Sequence, residues 1–280
     1  RCTMFELPEY VILARQMNET CRGKVVQRGQ LGNSPHKFVW YNRTPDEFEE
    51  LTAGRLVGTA RAKGRWLFVP LEPGYVLLFG ECGGKMLYHQ AGARLPKKYH
   101  LYLTFDDDSF LTLTPQMWGA MELYEQGEEQ KREYVKDMRT TPIEEEFTFA
   151  YFCRLIDDVT AEKKRSAKAL LTQDQLIPGL GNAIAQDILF RARLHPRFPL
   201  VALDSEQRKA LYNAVVNTVG EVIEQGGRYD EYDLYGNRGG YVRIMDKNAP
   251  GKPCPVCGGA VKKIQYLGGA CYFCSSCQRL

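Results

Sequence analysis

The sequence predicts an α+β protein: an N-terminal antiparallel β-sandwich, a helical domain after it, and a four-cysteine hairpin at the end. Three observations carry this. Apolar runs separated by turn signals fill the first 115 or so residues, the period becomes helical near residue 147, and two Cys-x-x-Cys pairs close the chain. A chain of 280 residues has room for two domains, each with a sizeable core.

The elements follow in order. A helix comes first, because Val11, Ile12, Ala14, Met17 and Cys21 recur at helical spacing. Strands are expected at 65–71, 75–79, 101–105 and 110–113, divided by Glu72-Pro73-Gly74 and Asp106-Asp107-Asp108-Ser109. These belong to a sandwich domain over 1–124. The acidic, Gln-, Glu- and Lys-rich stretch 125–146 is expected to be a solvated linker. Helices are expected at 147–159, 166–173, 182–193 and 204–225, the last opening on Asp204-Ser205 and stopping at Gly226-Gly227, which gives a helical domain over 147–227. Residues 228–253, rich in Gly, Tyr and Arg, read as loop, and 254–280 as a finger.

Composition excludes some classes. No run of about 18 apolar residues could span a bilayer, and Arg1-Cys2-Thr3-Met4 lacks the layout of a signal peptide, so the expected location is the cytoplasm, with Met4 as the expected start. Cys2, Cys21, Cys82, Cys153 and Cys271 are scattered and odd in number, which fits a reducing compartment better than a disulfide framework. A net charge of +3 is too small to argue from, but its distribution is uneven. Residues 121–150 carry −5, while 161–200 and 228–280 each carry +4. Basic segments late in the chain suit a polyanion such as DNA, or simply a solvated surface.

The cysteines at the end are the strongest signal. Cys254-x-x-Cys257 and Cys274-x-x-Cys277 lie sixteen residues apart, enough for a hairpin, and each pair points two thiolates at one tetrahedral ion. One structural Zn2+ is expected on these four. Cys271 falls outside the spacing and reads as a spare thiol. Upstream, Ile177-Pro178-Gly179-Leu180-Gly181-Asn182 separates two helices. It is either a plain interhelical turn or a phosphate site, in which Gly179 and Gly181 admit a close partner and Asn182 opens a helix whose free amides favour an anion.

These residues resemble the formamidopyrimidine-DNA glycosylase/endonuclease VIII family. Gly179-Leu180-Gly181-Asn182, the run Asp187 to Ala192, and His195-Pro196 look like its helix-two-turn-helix, Cys254 to Gln278 like its terminal finger, and Glu6-Leu7-Pro8-Glu9 like its catalytic N-terminus. The resemblance implies a protein acting as a monomer on damaged double-stranded DNA, with the damaged base flipped from the stack, in a bacterial, nucleoid-associated setting without a membrane role. In the family an N-terminal proline attacks the sugar. Here Phe5 holds that place, and a residue as large as Phe after Met normally prevents initiator removal. The family glutamate matches Glu6, the assisting lysine is replaced by Arg65 with Lys63 close by, and an arginine does not exchange protons near neutrality. The inserted methionine falls on Glu81, the Arg-Phe wedge pair on Met117 and Trp118, and the finger's phosphate-gripping arginine on Gly269. DNA contacts are therefore expected from Lys63, Arg65, Trp118, Gly179, Gly181 and Asn182. Glu6 could also serve only as a cap or ion-pair partner, and Trp118 as a core residue.

Three functions follow: a glycosylase in which Glu6 activates water without efficient lyase chemistry, a catalytically inactive binder of damaged or abasic DNA, and a bifunctional glycosylase and lyase using the Met4 amine.

Overall fold

The computed structural model describes residues 4–34, 37–116 and 118–280. The chain divides into two compact units, the first comprising Arg1–Met138 with Ile223–Tyr241, the second Arg139–Val222 with Val242–Leu280.

The first unit opens on helix α1 (Leu7–Thr20). It continues through strands β1 (Val26–Leu31) and β2 (Val39–Tyr41), helix α2 (Pro45–Thr52), and strands β3 (Leu56–Val57), β4 (Arg61–Lys63), β5 (Trp66–Glu72), β6 (Tyr75–Gly80), β7 (Gly84–His89), β8 (Leu101–Phe105), β9 (Phe110–Pro115) and β10 (Gly119–Glu125). A four-stranded sheet in the order β1-β8-β9-β7 faces a six-stranded sheet in the order β2-β10-β6-β5-β3, with β4 paired to β5. The expected sandwich is present. Its interior is built from alternating positions such as Leu67, Val69 and Leu71 on β5 and Leu101, Leu103 and Phe105 on β8, joined by Tyr10, Leu13 and Met17 of α1. Burying side chains of this size contributes about 1.5–3 kcal/mol each before entropy is counted.

Helix α2 was not expected. Thr44 accepts the Glu47 amide at 3.3 Å while the Glu47 carboxylate accepts the Thr44 amide at 2.8 Å, and Pro45 supplies the first turn. The acidic stretch 125–146 also differs from the solvated linker expected of it. It carries a short 3-10 turn, Glu128–Lys131, and buries Glu129 and Val135, the latter against Trp66, Phe68 and Leu78 on the outer face of the six-stranded sheet. Apolar Val135 gains more from that face than from water.

The second unit contains α3 (Phe149–Glu162), α4 (Ala167–Thr172), α5 (Asn182–Arg191) and most of α6 (Ser205–Glu224), close to the expected helices. Its end is a hairpin of β11 (Val261–Tyr266) and β12 (Gly269–Cys274). Leu267 and Gly268 turn it at φ 51° and 74°, the double left-handed geometry of a two-residue hairpin loop. Residues 228–253 hold no helix or strand, and Arg228, Leu234, Tyr241 and Met245 within them are buried. No helix among the described residues is long and apolar enough to cross a membrane.

Candidate functional site

In the first unit the site grows from the head of α1. Glu6 is the N-cap in extended backbone, Pro8 sits in the first turn without an N–H to satisfy, and the Glu9 carboxylate accepts the Glu6 amide at 2.9 Å. Phe5 precedes this cap. Its amide N–H donates to the Cys82 carbonyl at 2.8 Å, and its buried ring meets the Tyr10 ring edge-on at 5.8 Å. The Tyr10 hydroxyl accepts the Cys82 amide at 3.0 Å, so the start of the chain is fastened to the turn after β6 from both sides.

Arg228 completes this arrangement, and the sequence reading missed it. The side chain is wholly buried. It forks onto Glu9, with Nε to Oε1 at 2.9 Å and Nη2 to Oε2 at 2.9 Å, and its own amide reaches Oε1 at 3.2 Å. Nη2 also donates to the Met4 carbonyl at 2.8 Å, while carboxylate oxygens of Glu6 and Glu231 lie 4.0 Å and 3.7 Å from the guanidinium. Burial pulls the Arg228 pKa down, but the charges of Glu9 and Glu6 outweigh it and raise it above the ordinary value. A permanent cation thus faces Glu6, supplying the counter-charge that a buried carboxylate requires. The loop after α6 delivers it: Gly227 stands at φ 102°, and a Cβ on Gly239 would lie 2.1 Å from the Gly227 carbonyl oxygen.

Arg65 and Glu81 form the second feature of this unit. Lys63 ends β4 and Gly64 turns the chain at φ 58°, which places Arg65 Nη1 3.5 Å from Glu81 Oε2. The arginine expected in place of a lysine and the glutamate expected in place of a methionine therefore neutralise each other. Trp118 is not a core residue. The residue is 37% exposed, and its ring stacks on Trp40 at 5.5 Å and 9°. Met117, expected beside it, lies outside the described residues.

In the second unit, α4 and α5 flank the glycine turn. Asp174, Gln175 and Gly179 adopt φ 54°, 47° and 90°, Ile177 and Leu180 are buried, and the Gln175 side chain accepts the Gly179 amide at 3.0 Å. Gly181 is the N-cap of α5 and has no side chain with which to cap it. Asn182 is exposed at the head of that helix. A Cβ on Gly269 would come within 2.8 Å of Asn182 Nδ2, so the finger turn packs on Asn182 where a larger residue would displace it. Gln186 ties the same helix to β12, donating to the Ala270 carbonyl at 2.9 Å and accepting the Tyr272 amide at 3.1 Å. Buried Asp187 accepts the Ile244 and Met245 amides at 2.9 Å and 2.7 Å.

The sulfur atoms of Cys254, Cys257, Cys274 and Cys277 lie within 4.8 Å of one another. Sulfurs at about 2.3 Å from a tetrahedral centre stand roughly 3.8 Å apart, and the Cys257–Cys274 and Cys254–Cys277 separations are 3.5 Å and 3.9 Å. The donor set and spacing thus fit one tetrahedral thiophilic ion. Burial pushes the Cys274 thiol up, but the Cys277 and Ser276 amides and the Cys257 and Cys254 thiols outweigh it and bring it down to about 7. Cys271 is buried on β12, outside this cluster.

Comparison with known proteins places these features in context. The family model described as the formamidopyrimidine-DNA glycosylase N-terminal domain matches residues 4–118, and that described as the formamidopyrimidine-DNA glycosylase H2TH domain matches residues 139–231. The chain is 28% identical to the formamidopyrimidine-DNA glycosylase of Bacillus subtilis strain 168, over 98% of this chain and 99% of that protein, and 26% identical to that of Bacillus cereus ATCC 10987, over 98% and 99%. Among solved structures, the MutM (Fpg) protein of Thermus thermophilus superposes with a TM-score of 0.82 at 26% identity, covering 98% of both chains. A Lactococcus lactis FPG mutant in complex with a Fapy-dG containing DNA gives 0.84 at 21% identity, covering 98% of this chain and 100% of that one, a likeness of fold.

Proposed function

Because this chain belongs to the formamidopyrimidine-DNA glycosylase family, we propose that it is a DNA glycosylase of base-excision repair that releases the damaged base by hydrolysis, with little strand-cleaving lyase activity. The observation that carries this reading is the Phe5 amide, bonded to the Cys82 carbonyl behind a buried ring, directly before a retained Glu6. An amide nitrogen has its lone pair delocalised into its carbonyl and does not attack a sugar. Arg65 is no substitute, since a guanidinium is a poor nucleophile near neutrality and this one is ion-paired with Glu81.

In the proposed reaction, the Glu6 carboxylate takes a proton from water as the water oxygen bonds to C1′. The glycosidic C–N bond breaks with its electron pair going to the base, which acquires a proton. Positive charge develops on the sugar during this step, and an adjacent carboxylate stabilises it. Arg228 holds Glu9 and the Met4 carbonyl, and so sets where Glu6 stands.

The duplex is gripped by its phosphates at Asn182 and the close backbone approach that Gly179 and Gly181 allow, with Lys63, Arg65 and Trp118 on the first unit. One Zn2+ on the four cysteines stiffens the hairpin without chemistry of its own. The protein works as a monomer on chromosomal DNA in the cytoplasm. A second reading, covalent chemistry through a Met4 amine, is favoured by the Arg228 contact to the Met4 carbonyl.

The test uses duplexes carrying oxidised bases, alkylated bases or an abasic site, with released base measured by chromatography. Base release that disappears in Glu6→Gln, with DNA affinity retained, supports the proposal. Binding of damaged duplex without release from any of them would make the protein an inactive binder.

A further inference from the structure

Strand β2 alternates in an unusual way. Val39 and Tyr41 pack into the sandwich core, as an edge strand requires, but the positions turned outward are Phe38 and Trp40, 38% and 45% exposed. Parallel pairing sets Val39 against Gly119 and Trp40 against Ala120, and the Gly119 amide donates to the Phe38 carbonyl at 3.1 Å. Trp118 is thereby brought between them. Its centroid lies 4.5 Å from Phe38 and 5.5 Å from Trp40, the two indoles within 9° of parallel. Trp118 thus packs against both Phe38 and Trp40, and each of the three residues keeps over a third of its surface in water, which costs free energy unless something covers them.

We infer that Phe38, Trp40 and Trp118 form a stacking platform for unpaired nucleobases, so that the protein prefers DNA with locally unpaired bases to intact duplex. The inference rests on the DNA-binding reading above, and extends it from a single aromatic wedge to a surface. Charge identifies the occupant. Residues 20–45 and 82–105 contain no Asp or Glu. Asn33 fastens the two stretches, donating to the Lys97 carbonyl at 3.0 Å and accepting the Tyr99 amide at 3.1 Å. Lys37 lies 5.5 Å from the Phe38 centroid, and Arg94, Lys97 and Lys98 are exposed on the second stretch. Aromatic faces with a lysine beside one of them, on stretches that carry cations and no acid, match a strand of bases and phosphates, and every base has a face to stack.

Anisotropy titrations with an intact duplex, the same duplex with a central bubble, and oligo-dT test this, using the full chain, Trp40→Ala and Trp40→Phe. Wild type binds the bubble more tightly than the duplex. Trp40→Ala lowers bubble and oligo-dT affinity by about ten-fold, in keeping with loss of one base–aromatic stack, and leaves duplex affinity unchanged, while Trp40→Phe restores most of it. Unchanged thermal unfolding confirms that these surface variants fold. Equal losses on bubble and duplex, no loss on either, or a change in sedimentation in place of DNA affinity would overturn the platform. Wild type binding none of the DNAs would overturn the DNA-binding reading together with it.

Discussion

Replacing Arg228 with Met leaves Glu9 buried without the guanidinium that forks onto it at 2.9 Å through both nitrogens, and Met4 without its donor at 2.8 Å. Met keeps an unbranched apolar stem but no charge. Breaking a buried pair from one side costs about 3–5 kcal/mol, because the remaining charge stays out of water without compensation. All three tryptophans, Trp40, Trp66 and Trp118, lie in the first unit, so their fluorescence in urea reports that unit alone. With a slope of ~2 kcal/mol per molar urea, the midpoint should fall by roughly 1.5–2.5 M. Arg228→Met combined with Glu9→Gln should be less damaging than the two single effects added together, since the second change removes the stranded charge. A midpoint within about 0.3 M of wild type, or additivity within ~0.5 kcal/mol, would refute the reasoning.

Other predictions follow from the same geometry. Purified protein should contain about one equivalent of zinc, and Cys257→Ser should lose it together with DNA affinity; full metal content in that variant would remove the assignment. Asn182→Ala should weaken binding of all duplexes by a similar factor, because phosphate contacts position without reading sequence, and a loss confined to one sequence would contradict it. Lys24 and Ser109 hold the Asp107 carboxyl down at about 2. Its contribution to stability is therefore present above the ordinary carboxylate value of ~3.9 and lost as pH falls toward 2. Asp107→Asn should flatten the acid limb of thermal stability in that window, and an unchanged limb would show that Lys24 gains nothing from the pair.

What was legible in the sequence was local. The cysteine pairs and the Gly179 to Asn182 turn are set by spacing over a few residues, and the helices after residue 147 by a repeating apolar stripe. Helix α2 escaped because it has eight residues and buries only Phe48 and Thr52, too few for a period, although Thr44-Pro45-Asp46-Glu47 carried its cap. The β2 strand hid in the same way, since aromatic residues on both faces erase alternation. Arg228 had no local signal at all. Its partner Glu9 is 219 residues away, and only the fold makes a charged loop residue the buried counter-ion of the N-terminal carboxylates. The resemblance supplied the frame in which Phe5 and Arg65 stood out as departures, and the geometry explains how each is accommodated.

The central claim is that no amine of this protein bonds to the sugar. Borohydride trapping tests it most directly: protein begun at Met4 is incubated with damaged and abasic duplexes, reduced, and resolved from free DNA by denaturing electrophoresis. The account predicts base release and alkali-dependent nicking with no trapped complex. A reduced protein–DNA adduct mapping to the Met4 amine would contradict it and assign the chain the covalent chemistry.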